Sequence, residues 1–151
     1  MKKVLLLVVA GFLYFGNTAK AQSYQNAAGL AIDFGDGSTL VGPAIKHFFD
    51  KNNAGQAELT FGGDQTFLGA FYQYQDKIQN AGGLNWYLGI GPQLAFGHGN
   101  TDFYIRPMVG LDYKIAQAPL ALSFDWRPAF YVGDNSDFTA ARFGLGFKFV
   151  F

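Results

Sequence analysis

The sequence contains no cysteine, which excludes a disulfide framework and thiolate metal sites. It has no excess of positive charge either, because 11 lysine and arginine residues balance 11 aspartate and glutamate residues. A chain without a basic region lacks the electrostatic footprint of a nucleic-acid-binding protein. Beyond residue 21 it has neither the apolar spacing of an amphipathic helix nor a run of about 18 apolar residues that could form a membrane-spanning helix.

The N-terminal segment has the pattern of a secretory signal peptide. Lys2 and Lys3 precede an apolar run over residues 4–15, and Ala19 and Ala21 supply the small residues of a cleavage site. As a membrane anchor the run is short, because 12 helical residues span about 18 Å of a hydrocarbon core about 30 Å thick. We therefore predict a cleaved segment over residues 1–21 and one mature domain over residues 22–151. Removal of three lysines leaves eight bases against 11 acids.

Hydrophobic and polar residues alternate with a period of two along most of the mature chain, which is typical of β-strands. Stretches rich in Gly, Asp and Asn separate eight such segments and are typical of turns. The predicted strands cover residues 27–35, 39–49, 56–62, 66–77, 84–97, 103–115, 120–132 and 138–151. Eight antiparallel strands with no covering helix are expected to close into a barrel, because closure removes both exposed edges.

The two faces of these strands differ in volume as well as in polarity. The charged face also carries small residues such as Gly42, Gly89 and Gly144, whereas the other face is crowded with Phe, Leu and Trp. The interior of an eight-stranded barrel is only just wide enough for side chains, so the small face is the concave one. The sequence thus predicts an all-β, eight-stranded antiparallel up-and-down transmembrane barrel. A soluble barrel such as a lipocalin, with these faces reversed, is the alternative.

The C-terminal residues carry a resemblance to a known group of proteins. Gly146, Phe147, Phe149 and Phe151 form an ending that resembles the signal by which the barrel-assembly machinery recognises outer-membrane proteins. Residues 110–130 are similar to the penultimate hairpin of small exported barrels in the outer-membrane protein A and X-like group. The resemblance implies a location in the bacterial outer membrane, contact with its lipid and lipopolysaccharide, and assembly by that machinery. We expect a monomer without a cofactor.

Most strand-borne charges fall on the face predicted to line the bore. Buried ions are tolerated only when they are paired and hydrogen-bonded, so we expect a cross-strand network that plugs the lumen. A narrow path for protons or small ions is the alternative. The predicted network consists of Asp33, Lys46, Glu58, Arg106, Asp112, Lys114, Asp125, Arg127, Arg142 and Lys148.

Four prolines are predicted to lie at one level of the barrel, because each is five residues from an outer loop: Pro43, Pro92, Pro107 and Pro128. Proline has no N–H to donate to a ladder, so each is expected to cause a bulge or to leave a carbonyl group without a partner. This belt resembles the proline-flanked lateral openings of lipid A palmitoyltransferase. The resemblance implies, as an alternative function, a lipid-modifying enzyme that admits an acyl chain sideways.

Such an enzyme would need a reactive group at the outer loops. His98, with Ser38 or Ser136 as nucleophile and Asp102 as orienting acid, is the candidate set for hydrolysis or acyl transfer. No serine lies in a nucleophile elbow. We therefore predict that the protein is not an enzyme and that it has a structural role in envelope integrity or a surface-interaction role.

The outer loops are predicted to be acidic. They carry five aspartates and no lysine or arginine: Asp36, Asp64, Asp102, Asp134 and Asp137. Carboxylate oxygens suit hard divalent cations, so this rim could bind cations that bridge to lipopolysaccharide. The alternative is that aspartate is present because it makes good turns and stays solvated.

Overall fold

The structure is a computed structural model that describes residues 24–151. The predicted signal peptide, residues 1–21, lies outside the described residues. The described chain contains no helix, and within it no helical segment is long and apolar enough to cross a membrane. The β-segments are β1 (Asn26–Gly35), β2 (Ser38–Phe48), β3 (Asn53–Gly62), β4 (Gln65–Lys77), β5 (Leu84–Gly97), β6 (Asn100–Lys114), β7 (Leu120–Trp126), β8 (Ala129–Tyr131), β9 (Phe138–Thr139) and β10 (Arg142–Val150).

These ten segments form eight barrel strands, because β8 continues β7 and β10 continues β9 after short interruptions. Every neighbouring pair is antiparallel, and β1 closes the sheet by pairing with β10 along its whole length, from Ala27 opposite Val150 to Gly35 opposite Arg142. The prediction of an all-β, eight-stranded antiparallel barrel is confirmed. The interruptions after Trp126 and after Thr139 differ from the two continuous strands that the alternation predicted.

At one end of the barrel, which we call the hairpin end, four connections each link the two strands of a hairpin. Three of these connections are tight turns. Their central residues are Asp36–Gly37, Gly63–Asp64 and His98–Gly99, all with positive φ between 48° and 79°. Two consecutive residues with positive φ make the type I′ turn, whose twist matches that of the flanking strands. The fourth connection, residues 132–137 between β8 and β9, is longer. Both ends of the described chain lie at the opposite, terminus end.

The alternation of the sequence determines which side chains fill the bore. Lys148 and Arg127 are buried inside the barrel, whereas Leu122, Trp126 and Phe147 point outward and are 38%, 42% and 48% exposed. Buried apolar residues form only small clusters, one of which is Phe71, Tyr87 and Met108. The centre of this barrel is therefore mainly polar, and its large apolar surface lies on the outside.

Candidate functional site in the bore and at the rim

Nine of the ten charged residues predicted to face the lumen are buried in the bore, and none of the nine is more than 7% exposed. The exception is Lys114, which is half-buried. Its Nζ donates hydrogen bonds of 2.7 Å to the carbonyl oxygens of Ile115 and Ala118, in the turn that follows β6. Lys114, at the end of β6, therefore lies outside the buried network. It stabilises a turn instead of pairing with an acidic side chain.

Asp33 on β1 holds two arginines at the hairpin end of the bore. Arg106 Nη1 lies 2.5 Å from Asp33 Oδ2, and Arg142 Nη2 lies 2.5 Å from Asp33 Oδ1. Arg142 Nη1 also donates to the Gly35 carbonyl oxygen at 2.8 Å and to Ser38 Oγ at 2.6 Å. One carboxylate thereby connects β1, β6 and β10 across the lumen.

Arg127 is the centre of the second cluster and satisfies two acids at once. Its Nη1 donates to both carboxylate oxygens of Glu58, at 3.0 and 2.8 Å. Its Nε and Nη2 donate to the two oxygens of Asp125, at 2.5 and 2.6 Å. The Tyr87 hydroxyl also donates to Asp125. A β-carbon on Gly144 would collide with the Arg127 guanidinium, so glycine there provides the space that this cluster occupies.

The third cluster lies toward the terminus end and is held less tightly. Lys46 Nζ donates to Gln75 Oε1 at 2.6 Å and lies 3.9 Å from Asp112 Oδ2. The Tyr24 hydroxyl donates to the same Asp112 oxygen at 3.0 Å. Lys148 is different, because its Nζ contacts only Ser123 Oγ, at 3.4 Å, and no carboxylate of the described chain lies within ion-pair distance.

Few polar atoms in the bore lack a partner. Within residues 24–151, only Thr60 Oγ1, Gln73 Oε1 and Arg106 Nε are buried side-chain atoms without a hydrogen bond. Four buried acids and five buried bases share the remaining contacts. The network cross-links strands on opposite sides of the barrel through the Arg106–Asp33 and Arg127–Glu58 pairs.

The predicted proline level coincides with interruptions of the sheet. The ladder between β2 and β3 is interrupted between the pairs Val41–Phe61 and Ala44–Glu58, next to Pro43. The ladder between β4 and β5 is interrupted in the same way next to Pro92. In both places the ladder on the other side of the proline is continuous, so each proline interrupts the pairing of its strand with one neighbour only.

The largest gap separates β6 from β7 and β8. Pairing stops at Val109 opposite Trp126 and resumes, in the same register, at Ile105 opposite Phe130. Pro107 and Pro128 therefore face each other, and neither has an N–H to donate. Arg106 Nη2 bridges the gap by donating to the Arg127 carbonyl oxygen at 2.6 Å.

A β-bulge lies on the other side of Pro128. Register shifts by one residue between Phe143–Trp126 and Ala129–Thr139, so Ala140 and Ala141 together oppose Pro128. The Ala140 carbonyl oxygen accepts from Trp126 Nε1 at 2.6 Å and from the Arg142 N–H at 3.0 Å. These two donors replace the backbone N–H that Pro128 lacks. The proline and the bulge together interrupt the ladder, so breaks follow β7 and β9.

The candidate enzymatic residues are not joined in the structure. His98 is exposed in its turn with φ of 52°. Ser38 is bound to Arg142, and Ser136 is exposed in the long loop. Asp102 accepts a 3.4 Å hydrogen bond from the Tyr131 hydroxyl. Within residues 24–151 no hydrogen bond connects His98 to either serine or to Asp102.

The C-terminal aromatic residues are held by the barrel. Phe147 and Phe151 are exposed on the outer face, and Phe149 is half-buried between them. The Phe151 N–H donates to the Asn26 carbonyl oxygen at 2.9 Å, and the Asn26 N–H donates back at 3.0 Å. The last residue is thus fixed by the strand that begins the sheet.

Sequence reasoning missed a cavity at the hairpin end. A pocket of about 370 Å³ lies between β6, β8, β9 and the loop over residues 132–137. Its wall contains Tyr131, Asn135 and Thr139, which the sequence did not single out. The available signal was the length of this loop, because the other three outer connections have only two central residues each.

Comparisons with known proteins give no relative: no protein-family model matches the chain, and no curated protein matches it significantly. The fold and the contacts described above are therefore the basis for assigning a role. The structure has three features that bear on its role, namely the charged network in the bore, the interrupted proline level and the cavity at the hairpin end.

Proposed function

We propose that this chain is an integral outer-membrane β-barrel protein of the bacterial envelope, with a structural or surface-interaction role and a lumen closed by its charged network. The observation that carries this proposal is the inverted polarity of the barrel. Nine charged side chains are buried in the bore, while 25 large hydrophobic side chains of the described chain are exposed on its surface. A soluble monomer rarely exposes so much continuous apolar surface.

Strand length supports a bilayer as the solvent of the outer face. The uninterrupted strands β1 to β6 have between 10 and 15 residues, and a tilted strand needs about 9–11 residues to cross the hydrocarbon core. Closure of the sheet pairs backbone groups between strands, which is the condition for placing strands in lipid. A role for the final aromatic residues in recognition by the barrel-assembly machinery fits their fixed position. Lipid and lipopolysaccharide would then be the partners of the outer face, and a monomer suffices.

The two tryptophans provide a direct test of membrane insertion. Trp126 lies on the outer face near mid-barrel, and Trp86 lies near the terminus end, beside Tyr74. Trp86→Phe and Trp126→Phe leave one reporter each, and the mature protein is refolded into vesicles of brominated phospholipid. Bromine deep in the acyl chains is expected to quench the fluorescence of Trp126 more than that of Trp86. Bromine near the headgroups is expected to quench Trp86 more than Trp126. A monomer that stays in the aqueous phase and shows no quenching refutes the proposal.

The plug distinguishes this proposal from a narrow pore. The Arg106–Asp33 and Arg127–Glu58 ion pairs cross the lumen, and eight-stranded barrels are filled by their side chains. We expect planar bilayers that contain the purified protein to stay electrically silent. Stepwise conductance that changes in Arg127→Met would show that the lumen conducts and would favour the pore.

A lipid-modifying enzyme with lateral access remains a second candidate because of one observation, the gap between Pro107 and Pro128. The buried side chains behind this gap include the charged Arg106 and Arg127, and the apolar Met108 there is already packed against Phe71 and Tyr87. Lipid profiles from cells that express the wild type, His98→Ala or Ser136→Ala test this candidate. Identical profiles count against the enzyme, whereas a modified lipid that disappears in either variant would establish it.

A further inference from the structure

The cavity at the hairpin end is an open cleft between strands and a loop, large enough for a small molecule. It measures about 370 Å³, within the usual range of about 300–1,000 Å³ for small-molecule sites. Its wall is made of Asp102 and Tyr104 from β6, Tyr131 from β8, Asn135 and Asp137 from the loop, and Thr139 from β9. It lies outside the plug and shares no residue with the buried network.

Backbone contacts hold the walls of this cavity in place. The Tyr131 N–H donates to the Asp137 carbonyl oxygen at 2.8 Å, and the Val132 N–H donates to the Phe103 carbonyl oxygen at 2.8 Å. The loop is thereby fastened at both roots and to β6. Because these hydrogen bonds within the chain order the loop, a ligand does not have to provide that free energy.

The rings of Tyr104 and Tyr131 form an aromatic wall. Their centroids are 5.5 Å apart with an interplanar angle of 55°, and both residues are half-buried. Ring faces attract a cation that lies within about 6 Å of the centroid. The two rings are tilted against each other rather than stacked, and both line the cavity.

The charged groups of the wall are of one sign. Asp102 uses one carboxylate oxygen to accept from the Tyr131 hydroxyl, and Asp137 uses one to accept from the Phe138 N–H at 2.8 Å. The second oxygen of each has no hydrogen-bond donor among residues 24–151. None of the described residues that line the cavity is a lysine, an arginine or a histidine. The site therefore repels anions and attracts a positive group.

An organic cation fits this donor set better than a metal ion does. Calcium takes about six to eight oxygen ligands, and no three His, Asp or Glu side chains of the described chain are placed to hold a metal. A metal would also leave the aromatic wall without a function. A neutral sugar could pack against the rings and form hydrogen bonds with the Asn135 amide, but it would not neutralise the negative charge of the two carboxylates.

We propose that this cavity binds a small organic cation, with its ammonium group between the Tyr104 and Tyr131 rings and the Asp102 and Asp137 carboxylates. Asn135 and Thr139 lie where they can bond polar groups on the remainder of the ligand. The site would give the barrel a recognition function at its hairpin end, and this proposal does not depend on membrane insertion or on closure of the lumen.

Isothermal titration of the purified mature protein in neutral detergent tests the proposal, with tetramethylammonium and spermidine as probes. Calcium chloride and glucose serve as comparison ligands. We expect saturable binding of at least one organic cation, and about tenfold weaker binding in Asp137→Asn, because that exposed change removes one charge contact without touching the plug. Tyr131→Leu, which removes a ring, is expected to weaken tetramethylammonium at least as much.

Asp36→Asn is the matched control, because it removes an exposed aspartate from a different outer turn. Circular dichroism of every variant establishes that the barrel is folded. No saturable binding of either cation, tighter binding of calcium or glucose than of the cations, or equal weakening in Asp36→Asn and Asp137→Asn would each overturn the proposal. The last result would show a general surface attraction rather than a site.

Discussion

Replacement of Arg127 tests whether paired charges, rather than charge itself, stabilise the plug. The Arg127 guanidinium makes four hydrogen bonds of 2.5 to 3.0 Å to Glu58 and Asp125, and all three residues are buried. Arg127→Met keeps similar length but leaves two buried carboxylates without this cation. Breaking a buried pair by removing one partner costs about 3–5 kcal/mol, and here one side chain serves two acids. We expect a loss of unfolding free energy at the upper end of that range.

Lys148→Met is the informative comparison, because Lys148 is buried equally well but is not paired. Its removal eliminates a desolvated ammonium, the 3.4 Å contact with Ser123 and only longer-range attraction to the buried acids Asp112 and Glu58. Burial of an unpaired charge is costly, so this substitution is expected to change stability by less than about 1 kcal/mol or to increase it. Lys51→Met, in an exposed turn, controls for the loss of one positive charge and is expected to stay within about 0.5 kcal/mol of wild type.

Equilibrium unfolding in urea from phospholipid vesicles, followed by tryptophan fluorescence, measures all three variants. Unfolding and refolding curves must coincide for the free energies to be meaningful. The reasoning is refuted if Arg127→Met costs less than about 1 kcal/mol or if Lys148→Met costs as much as Arg127→Met. Either result would mean that the ion-pair geometry of the bore does not determine its stability.

Three further changes give distinct outcomes. Gly144→Ala is expected to cost about 1–3 kcal/mol in the same urea assay, because its methyl group collides with Arg127, whereas Gly82→Ala, which meets nothing, serves as control. Pro107→Val adds one N–H opposite the other proline of the gap, so it should slow amide hydrogen exchange there, and unchanged exchange would contradict the role of proline. Asp50 accepts hydrogen bonds from two asparagines in the same turn, and these bonds lower the pKa of Asp50 from its ordinary value of 3.8. The stability that these hydrogen bonds provide is therefore present above pH 3.8 and is lost as the pH falls through the lowered pKa. Asp50→Asn should remove this dependence, measured by exchange of the turn amides between pH 5 and pH 2, and a persisting dependence would contradict it.

Much of the fold was predictable because its signals are local. The fifth strand was predicted over residues 84–97 and is observed as Leu84–Gly97. Alternation with period two is a property of neighbouring residues, and turns such as Asp36–Gly37 depend on the conformations of single residues. The buried face also followed from the sequence, since residue volume shows which side fits a narrow bore.

The amino-acid sequence therefore predicts the number of strands, their order and the polarity of their two faces, whereas closure of the barrel sets which side chains meet. Arg127 and Glu58 are 69 residues apart, and no local pattern reveals that they pair while Lys148 has no acid of the described chain at ion-pair distance. The same holds for the cavity beside Pro107 and Pro128, whereas the common level of these two prolines follows from their distance to the hairpin turns. The physical reason is that the register of eight strands is fixed only when the sheet closes on itself, and a shift of one residue would reassign every cross-lumen partner.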